Sequence, residues 1–287
     1  MKPILAFLQM SPSSLAEGRG GGLVAIAAAL VLSACASIPP PTHLTEYKPG
    51  RIHGYLKRAQ LPDMSKVLPP PPAPGSAAFA ADEAAYRAAQ RMDGEGTARW
   101  QLAARDADLD FPAADRVFAC ALDMPISESA TPHLNALLRR TLVDALHATD
   151  TAKDEYRRPR PYMVTHDPTC TPDWEARMQA ESYPSGHASV GWAWALALAE
   201  IAPERAVPIL KRGYAFGMSR VVCRVHWKSD VEAGRTVGAA VVSRLHADPV
   251  FVAQMARAKQ EIERAHEAGE RGPRDCAAEA KALAEEP

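Results

Sequence analysis

From residue 78 onward the apolar positions of the chain recur with helical rather than strand spacing. Leu134, Leu137, Leu138, Leu142, Ala145 and Leu146 repeat at three and four, which places them on one face of a helix over Leu134–Thr149. Thr131-Pro132 ahead of it pairs an N-cap residue with proline at the first helical position. Asp82–Arg91 and Thr97–Leu109, rich in Ala, Arg and Asp, also read as helices. So do Pro203–Met218, His226–His246, Pro249–Gly269 and, with Asp275 as a cap, Cys276–Glu285. Val190–Ala199 is different, being apolar on every side, with Trp192, Trp194, Leu196 and Leu198 among its ten residues. A bilayer span needs roughly 20 apolar residues, so this segment predicts a central core helix. Alternation with a period of two is almost absent, and the pattern as a whole predicts an all-α, single-domain helical bundle.

The N-terminal part lacks such a pattern. Residues 36–77 hold two proline clusters, Ile38–Thr42 and Leu68–Gly75, and sustain neither period. Lys2 and Arg19 precede the apolar run Leu23–Leu32, which is short for a span and ends in small residues, as secretory signals do. Leu32-Ser33-Ala34-Cys35 resembles a bacterial lipobox, whose cysteine is lipidated and becomes the new N-terminus. Ala34-Cys35-Ala36 also satisfies the small-x-small rule, so ordinary cleavage stays open. The expected organisation is a lipoprotein-type signal peptide at 1–34, a proline-rich tether at 35–77, an all-α domain at 78–270 and a helical tail at 271–287. Ala36 supplies no aspartate-type retention signal, and the expected location is the periplasm, on the outer membrane through Cys35, or else soluble periplasmic or secreted.

Charge and cysteine content narrow the function. Thirty-three Lys and Arg against 34 Asp and Glu leave a formal charge of −1 and a pI near 6.8, and no basic run supplies a local field, which excludes nucleic acid as a partner. Beyond Cys35, the cysteines are Cys120, Cys170, Cys223 and Cys276, an even number without C-x-x-C spacing for zinc. An exported chain can oxidise them. Three pairings are open to four cysteines and the sequence does not choose; Cys170–Cys223 with Cys120–Cys276 is the working pair of bridges.

Three segments concentrate unusual chemistry: Lys153 with Arg160-Pro161, Pro184-Ser185-Gly186-His187, and Ser219-Arg220 with His226 and Asp230. Lys153, Arg160 and Arg220 gathered together would make a cationic pocket, costly unless an oxyanion occupies it. Ser185 and Gly186 stand just before the apolar helix, where a cap, a close backbone approach and free N–H groups favour an anion. His187 beside them titrates near neutral pH. His226 and Asp230, four apart, share a face if that stretch is helical, so the carboxylate can fix the tautomer of a nucleophilic imidazole. Each feature alone has an ordinary structural explanation; their conjunction does not.

The order Lys153-x6-Arg160-Pro161, Pro184-Ser185-Gly186-His187 and Ser219-Arg220-x5-His226-x3-Asp230 resembles the three-part motif of the type 2 phosphatidic acid phosphatase superfamily. Gly96-Thr97-Ala98-Arg99-Trp100, Ser182-Tyr183 ahead of Pro184, and Val221-Val222-Cys223 with His226-Trp227 are similar to the bacterial class A non-specific acid phosphatases, from about residue 96 to 265. The resemblance implies an all-α bundle of the acid phosphatase and vanadium haloperoxidase type, acting on small phosphate monoesters without metal or other cofactor. It implies phosphoryl binding by Lys153, Arg160, Ser185, Gly186 and Arg220, attack by His226 oriented by Asp230, and protonation of the leaving alcohol by His187. Inorganic phosphate or vanadate would occupy the same site. Transfer to acceptor alcohols is also expected, and a homo-oligomer is left open. Ala188 and Lys228 depart from the usual threonine and glutamine. A vanadium-dependent haloperoxidase and a non-catalytic phosphate-binding envelope lipoprotein are the alternative readings, whereas a membrane lipid phosphatase is disfavoured because no span follows the signal.

Overall fold

The computed structural model describes residues 39–92, 94–175, 180–273 and 275–284. The proposed signal and Cys35 lie outside the described residues. The elements are helices: α1 Ala77–Met92, α2 Ala98–Arg105, α3 Ala119–Leu122, α4 Pro132–His147, α5 Asp150–Tyr156, α6 Pro161–Thr165, α7 Pro172–Glu175, α8 Gly186–Ile201, α9 Ala206–Val222, α10 Lys228–Leu245, α11 Pro249–Glu267 and α12 Cys276–Ala284. Among the described residues the sole extended pairing is an isolated bridge between Lys48 and Arg51, so the all-α expectation holds. No described helix is long and apolar enough to cross a membrane.

The apolar segment predicted as a core helix becomes α8, which packs against α4, α9, α10 and α11. Trp194 is fully buried at its centre and donates Nε1–H to the Leu138 carbonyl of α4 at 2.9 Å. Glycines set how closely α10 approaches. A Cβ on Gly234 would sit 2.4 Å from the Ser185 carbonyl oxygen, and one on Gly238 2.5 Å from that of Ser189. Only hydrogen fits there, so α10 lies with its backbone directly on the first turns of α8.

α4 begins at Pro132 behind Thr131, as the sequence predicts, but the Thr131 side chain does not cap it. Glu261 of α11 takes that role, accepting from His133 N at 3.0 Å and Leu134 N at 2.8 Å. Residues 39–76 are not a free strand of chain. Ile52, Leu56, Met64 and Leu68 are buried, and Asp144 of α4 accepts from Tyr55 N and Leu56 N. Proline and polar content masked this, because anchors spaced irregularly leave no period to detect. Both working disulfides are present, Cys120–Cys276 fastening the start of α12 beside α3 and Cys170–Cys223 joining the segment after α6 to the end of α9.

Candidate active site

The site forms where the N-terminus of α8, the end of α9, the turn before α10 and the α5–α6 junction meet. Arg157 adopts φ 42°, which ends α5, and Arg160, extended at φ −77° and ψ 154° ahead of Pro161, starts α6. This sharp corner turns Lys153 and Arg160 to the same side. Lys153 Nζ donates to the Glu181 carbonyl at 2.5 Å and Arg160 Nη2 to the same oxygen at 3.3 Å.

His226 does not lie on the helix, as the i,i+4 reading expects. α10 starts at Lys228, with Trp227 as its extended N-cap and Asp230 in the first turn accepting from Trp227 N at 2.8 Å. His226 belongs to the turn after α9, where the Arg220 carbonyl accepts from Val225 N and His226 N. The cap geometry rather than a helical face brings the imidazole near Asp230, at 3.6 Å from Nδ1 to Oδ2. The immediate acceptor of Nδ1–H is the Ser182 carbonyl, at 2.7 Å. Nε2 therefore carries the lone pair, and Arg160 Nη1 donates to it at 3.0 Å.

Asp230 acts one step behind. It is fully buried and accepts from Ser182 Oγ at 2.5 Å and from Arg158 Nη1 at 2.6 Å. Arg158 in turn pairs with Asp82 of α1 at 2.8 Å, and Asp82 accepts from Ser229 N and Oγ. Neither Arg158 nor Asp82 stands out in the sequence, and Ser182 enters it only through the class A resemblance, without a role. Arg158 lies two residues before Arg160, and its buried role shows only when Asp230 and Asp82 are placed.

Ser185 is the N-cap of α8, with Oγ accepting from Ala188 N at 3.3 Å, and its own N–H donates to the Asp230 carbonyl at 2.9 Å. Gly186 opens the helix, and a Cβ there would meet Leu146 Cδ2 at 3.0 Å. His187 follows, with Nε2 3.0 Å from the Ala107 carbonyl and its ring stacked 6.2 Å from Phe216. Arg220 is 3% exposed, yet its Nε and Nη1 have no hydrogen-bond partner among the described residues. Lys228 is half-buried and pairs with Glu232 outside the site.

The fields follow from this crowding. Burial, then Arg160, Lys153 and Arg220, hold the His226 pKa well below its usual value, which keeps the imidazole neutral. Burial, then Arg220, does the same to His187, against the Ala107 carbonyl and reinforced by His226 and Arg160. Lys153 is pushed down to about 8 by burial and by Arg160. All three cations thus act on one histidine, and two of them on both. A cavity of about 580 Å³ lies elsewhere, lined by His43, Asp115, Asn135 and Arg139 among others, with none of these site residues on its walls.

A neutral imidazole with its lone pair fixed, three cations around it and backbone N–H groups at a helix start describe a site for phosphoryl chemistry. The PAP2 superfamily profile matches residues 131–251, which contain every one of these motif residues, and the chain belongs to that superfamily. It is 42% identical over 232 residues to the non-specific acid phosphatase of Providencia stuartii, spanning 80% of this chain and 92% of the relative. An acid phosphatase of Zymomonas mobilis is 40% identical over 199 residues, 69% of this chain and 75% of its own. The non-specific acid phosphatase of Salmonella typhimurium is 39% identical over 197 residues, covering 68% and 78%.

Proposed function

We propose that this phosphoric monoester hydrolase is an acid phosphatase of broad substrate range that works through a phosphohistidine intermediate and needs no metal. The observation that carries the reading is the buried, partly unpartnered Arg220 guanidinium facing the same histidines as Lys153 and Arg160. A phosphoryl dianion supplies the missing acceptors and offsets the repulsion among the cations. Ser185 and the Gly186 N–H add donors at the start of α8. A divalent cation would meet three positive side chains, and the buried Asp230 carboxylate beside them is already committed to Arg158, Ser182 and Trp227.

In the first step the His226 Nε2 lone pair attacks phosphorus, the ester P–O bond breaks, and His187 gives its proton to the departing alcohol oxygen. In the second, water attacks phosphorus, the P–N bond returns its electron pair to Nε2, and His187 accepts the water proton as orthophosphate leaves. An alcohol in place of that water gives phosphotransfer. Nδ1–H donation to the Ser182 carbonyl and the Asp230 charge behind it stabilise the positive charge that develops on His226 during attack. Binding of the dianion counters the field that depresses His187, so the acid is charged when substrate is present. The role of orienting His226 is shared: Ser182 sets direction and Asp230 supplies charge.

The test is hydrolysis of p-nitrophenyl phosphate in excess EDTA by the purified protein. Turnover that persists in EDTA and disappears in His226→Ala, with ³²P retained on His226 after an acid-free quench of labelled substrate, is the expected result. Loss of activity on chelation, or an undiminished His226→Ala, overturns it. For location we propose export with Cys35 lipidated and the enzyme facing the periplasm, a reading supported by the lipobox-like Leu32-Ser33-Ala34-Cys35 and by two disulfides suited to an oxidising compartment. Labelling with palmitate that is lost in Cys35→Ser tests it.

A further inference from the structure

Beneath the pocket lies a second buried ionic cluster that the reaction as described does not use. Asp106, the residue that ends α2, is 2% exposed. Its carboxylate accepts from Arg212 Nη2 at 2.5 Å and Nη1 at 3.1 Å, and from Ser219 Oγ at 2.5 Å, all on α9. Arg99 of α2 donates to Ser219 Oγ at 2.9 Å and to the Ala215 carbonyl at 3.0 Å. Glu279 of α12 approaches Arg212 Nε at 3.4 Å from the other side.

Two chain neighbours make this cluster more than a strut. Ser219 directly precedes Arg220, and Asp106 directly precedes Ala107, whose carbonyl is held 3.0 Å from His187 Nε2. One carboxylate therefore fixes the turn that orients the proton donor and the helix end that carries the phosphate cation. We infer that Asp106 is a positioning residue of the phosphatase reaction: by clamping the end of α2 onto α9 it sets the Ala107 carbonyl against His187 and aligns the donor with the leaving alcohol. This rests on the acid phosphatase reading and assigns to that site an element outside its motif.

Protonating the leaving group matters in proportion to how poor that group is. Phenol as a leaving group needs the proton far more than p-nitrophenol, whose anion is already stable. A misaligned His187 therefore penalises phenyl phosphate selectively, whereas general loosening of the fold penalises both esters alike. The groups facing His187 are Arg220 of α9, His226 and Arg160, with Phe216 against its ring; Asp106 is hydrogen-bonded by Arg212 and Ser219, with Arg220 and Glu279 in its field. Asp106→Asn keeps an acceptor for Ser219 and replaces no side chain around His187, while removing a negative charge that favours the charged form of Arg220.

The experiment compares kcat and KM for the two esters in wild type and Asp106→Asn, with circular dichroism to establish folding. The expected result is a kcat loss about tenfold larger for phenyl than for p-nitrophenyl phosphate, with KM for both changed far less. The acid-to-neutral decline of kcat for phenyl phosphate also moves to lower pH, since His187 loses the acceptor that favours its protonated form. If Asp106→Asn does not fold, Asp106→Glu, which keeps the charge but displaces the carboxylate against Arg212 and Ser219, decides by the same ratio. An equal loss on both esters, or no loss, overturns the role of Asp106. A wild type that hydrolyses neither ester overturns the acid phosphatase reading instead, so the two failures are distinct.

Discussion

Replacing Arg220 with Met should make the ligand-free protein more stable while removing its response to phosphate. Arg220 is 3% exposed, and two of its guanidinium nitrogens lack partners among the described residues. An unsatisfied buried donor costs roughly 1–3 kcal/mol, and replacing a strained buried charge by an apolar side chain of similar length returns roughly 1–4 kcal/mol. Relief of the repulsion from Arg160 acts in the same direction. A gain of about 2 kcal/mol raises Tm by roughly 4–8 °C in a domain of this size. Orthophosphate at about 100 times its Kd should stabilise the wild type by roughly 2.7 kcal/mol, or roughly 5–10 °C, and the variant by far less. Differential scanning calorimetry with and without phosphate reads both quantities in one series. An Arg220→Met protein that melts several degrees lower than wild type without ligand, and still shows the full phosphate shift, would refute the reasoning that this guanidinium is held in reserve for an oxyanion.

Other outcomes follow from the buried charges. Arg158→Met leaves Asp82 and Asp230 facing each other without their shared cation, and should cost roughly 3–5 kcal/mol in urea denaturation; a change under 1 kcal/mol would count against the network. Burial raises the Asp115 pKa from 3.8 to about 6, against the Asn135 hydrogen bond that lowers it. The folded state thus holds a proton that the unfolded chain has released between about pH 4 and 6, so this group adds stability as pH falls through 6 and costs about 3 kcal/mol at pH 7. Asp115→Asn should accordingly melt higher than wild type at pH 7, and the gap should close by about pH 4; a gap independent of pH refutes the assignment. For turnover, burial and Arg220 depress His187, so rates should rise toward acid pH with apparent constants belonging to the histidine pair, and a flat profile between about pH 4 and 8 would contradict those roles.

The helices were legible because their signals are local. Apolar spacing and the Thr131-Pro132 start locate α4, and a run that is apolar all round marks α8 as the centre. The motif residues were legible as a set because their order and spacing match the three-part superfamily motif, and all of them fall within the matched residues 131–251. What escaped was relational. The 2.7 Å acceptor of His226 is a backbone carbonyl, at Ser182, which any residue type could provide. Arg158, Asp82 and Asp106 look like solvated surface charges until the fold buries them. Their partners stand 72, 76 and 106 positions away, well beyond the reach of periodicity. The anchors of residues 39–76 were hidden for a similar reason, since a segment that follows the contour of other elements need not repeat.

The glycine seam between α8 and α10 has a bearing on how such an enzyme could change its diet. With Gly234 and Gly238 pressed against the Ser185 and Ser189 carbonyls, no substitution on that side can enlarge or reshape the cradle without prising the helices apart. The end of the site proposed to hold phosphorus is thus locked by main chain rather than by side-chain choice. On the proposed function, variation among substrates is left to the turn around Ala107, whose carbonyl lies 3.0 Å from His187 Nε2, the nitrogen-bearing ring proposed to serve the alcohol. Libraries aimed at new esters should be spent there.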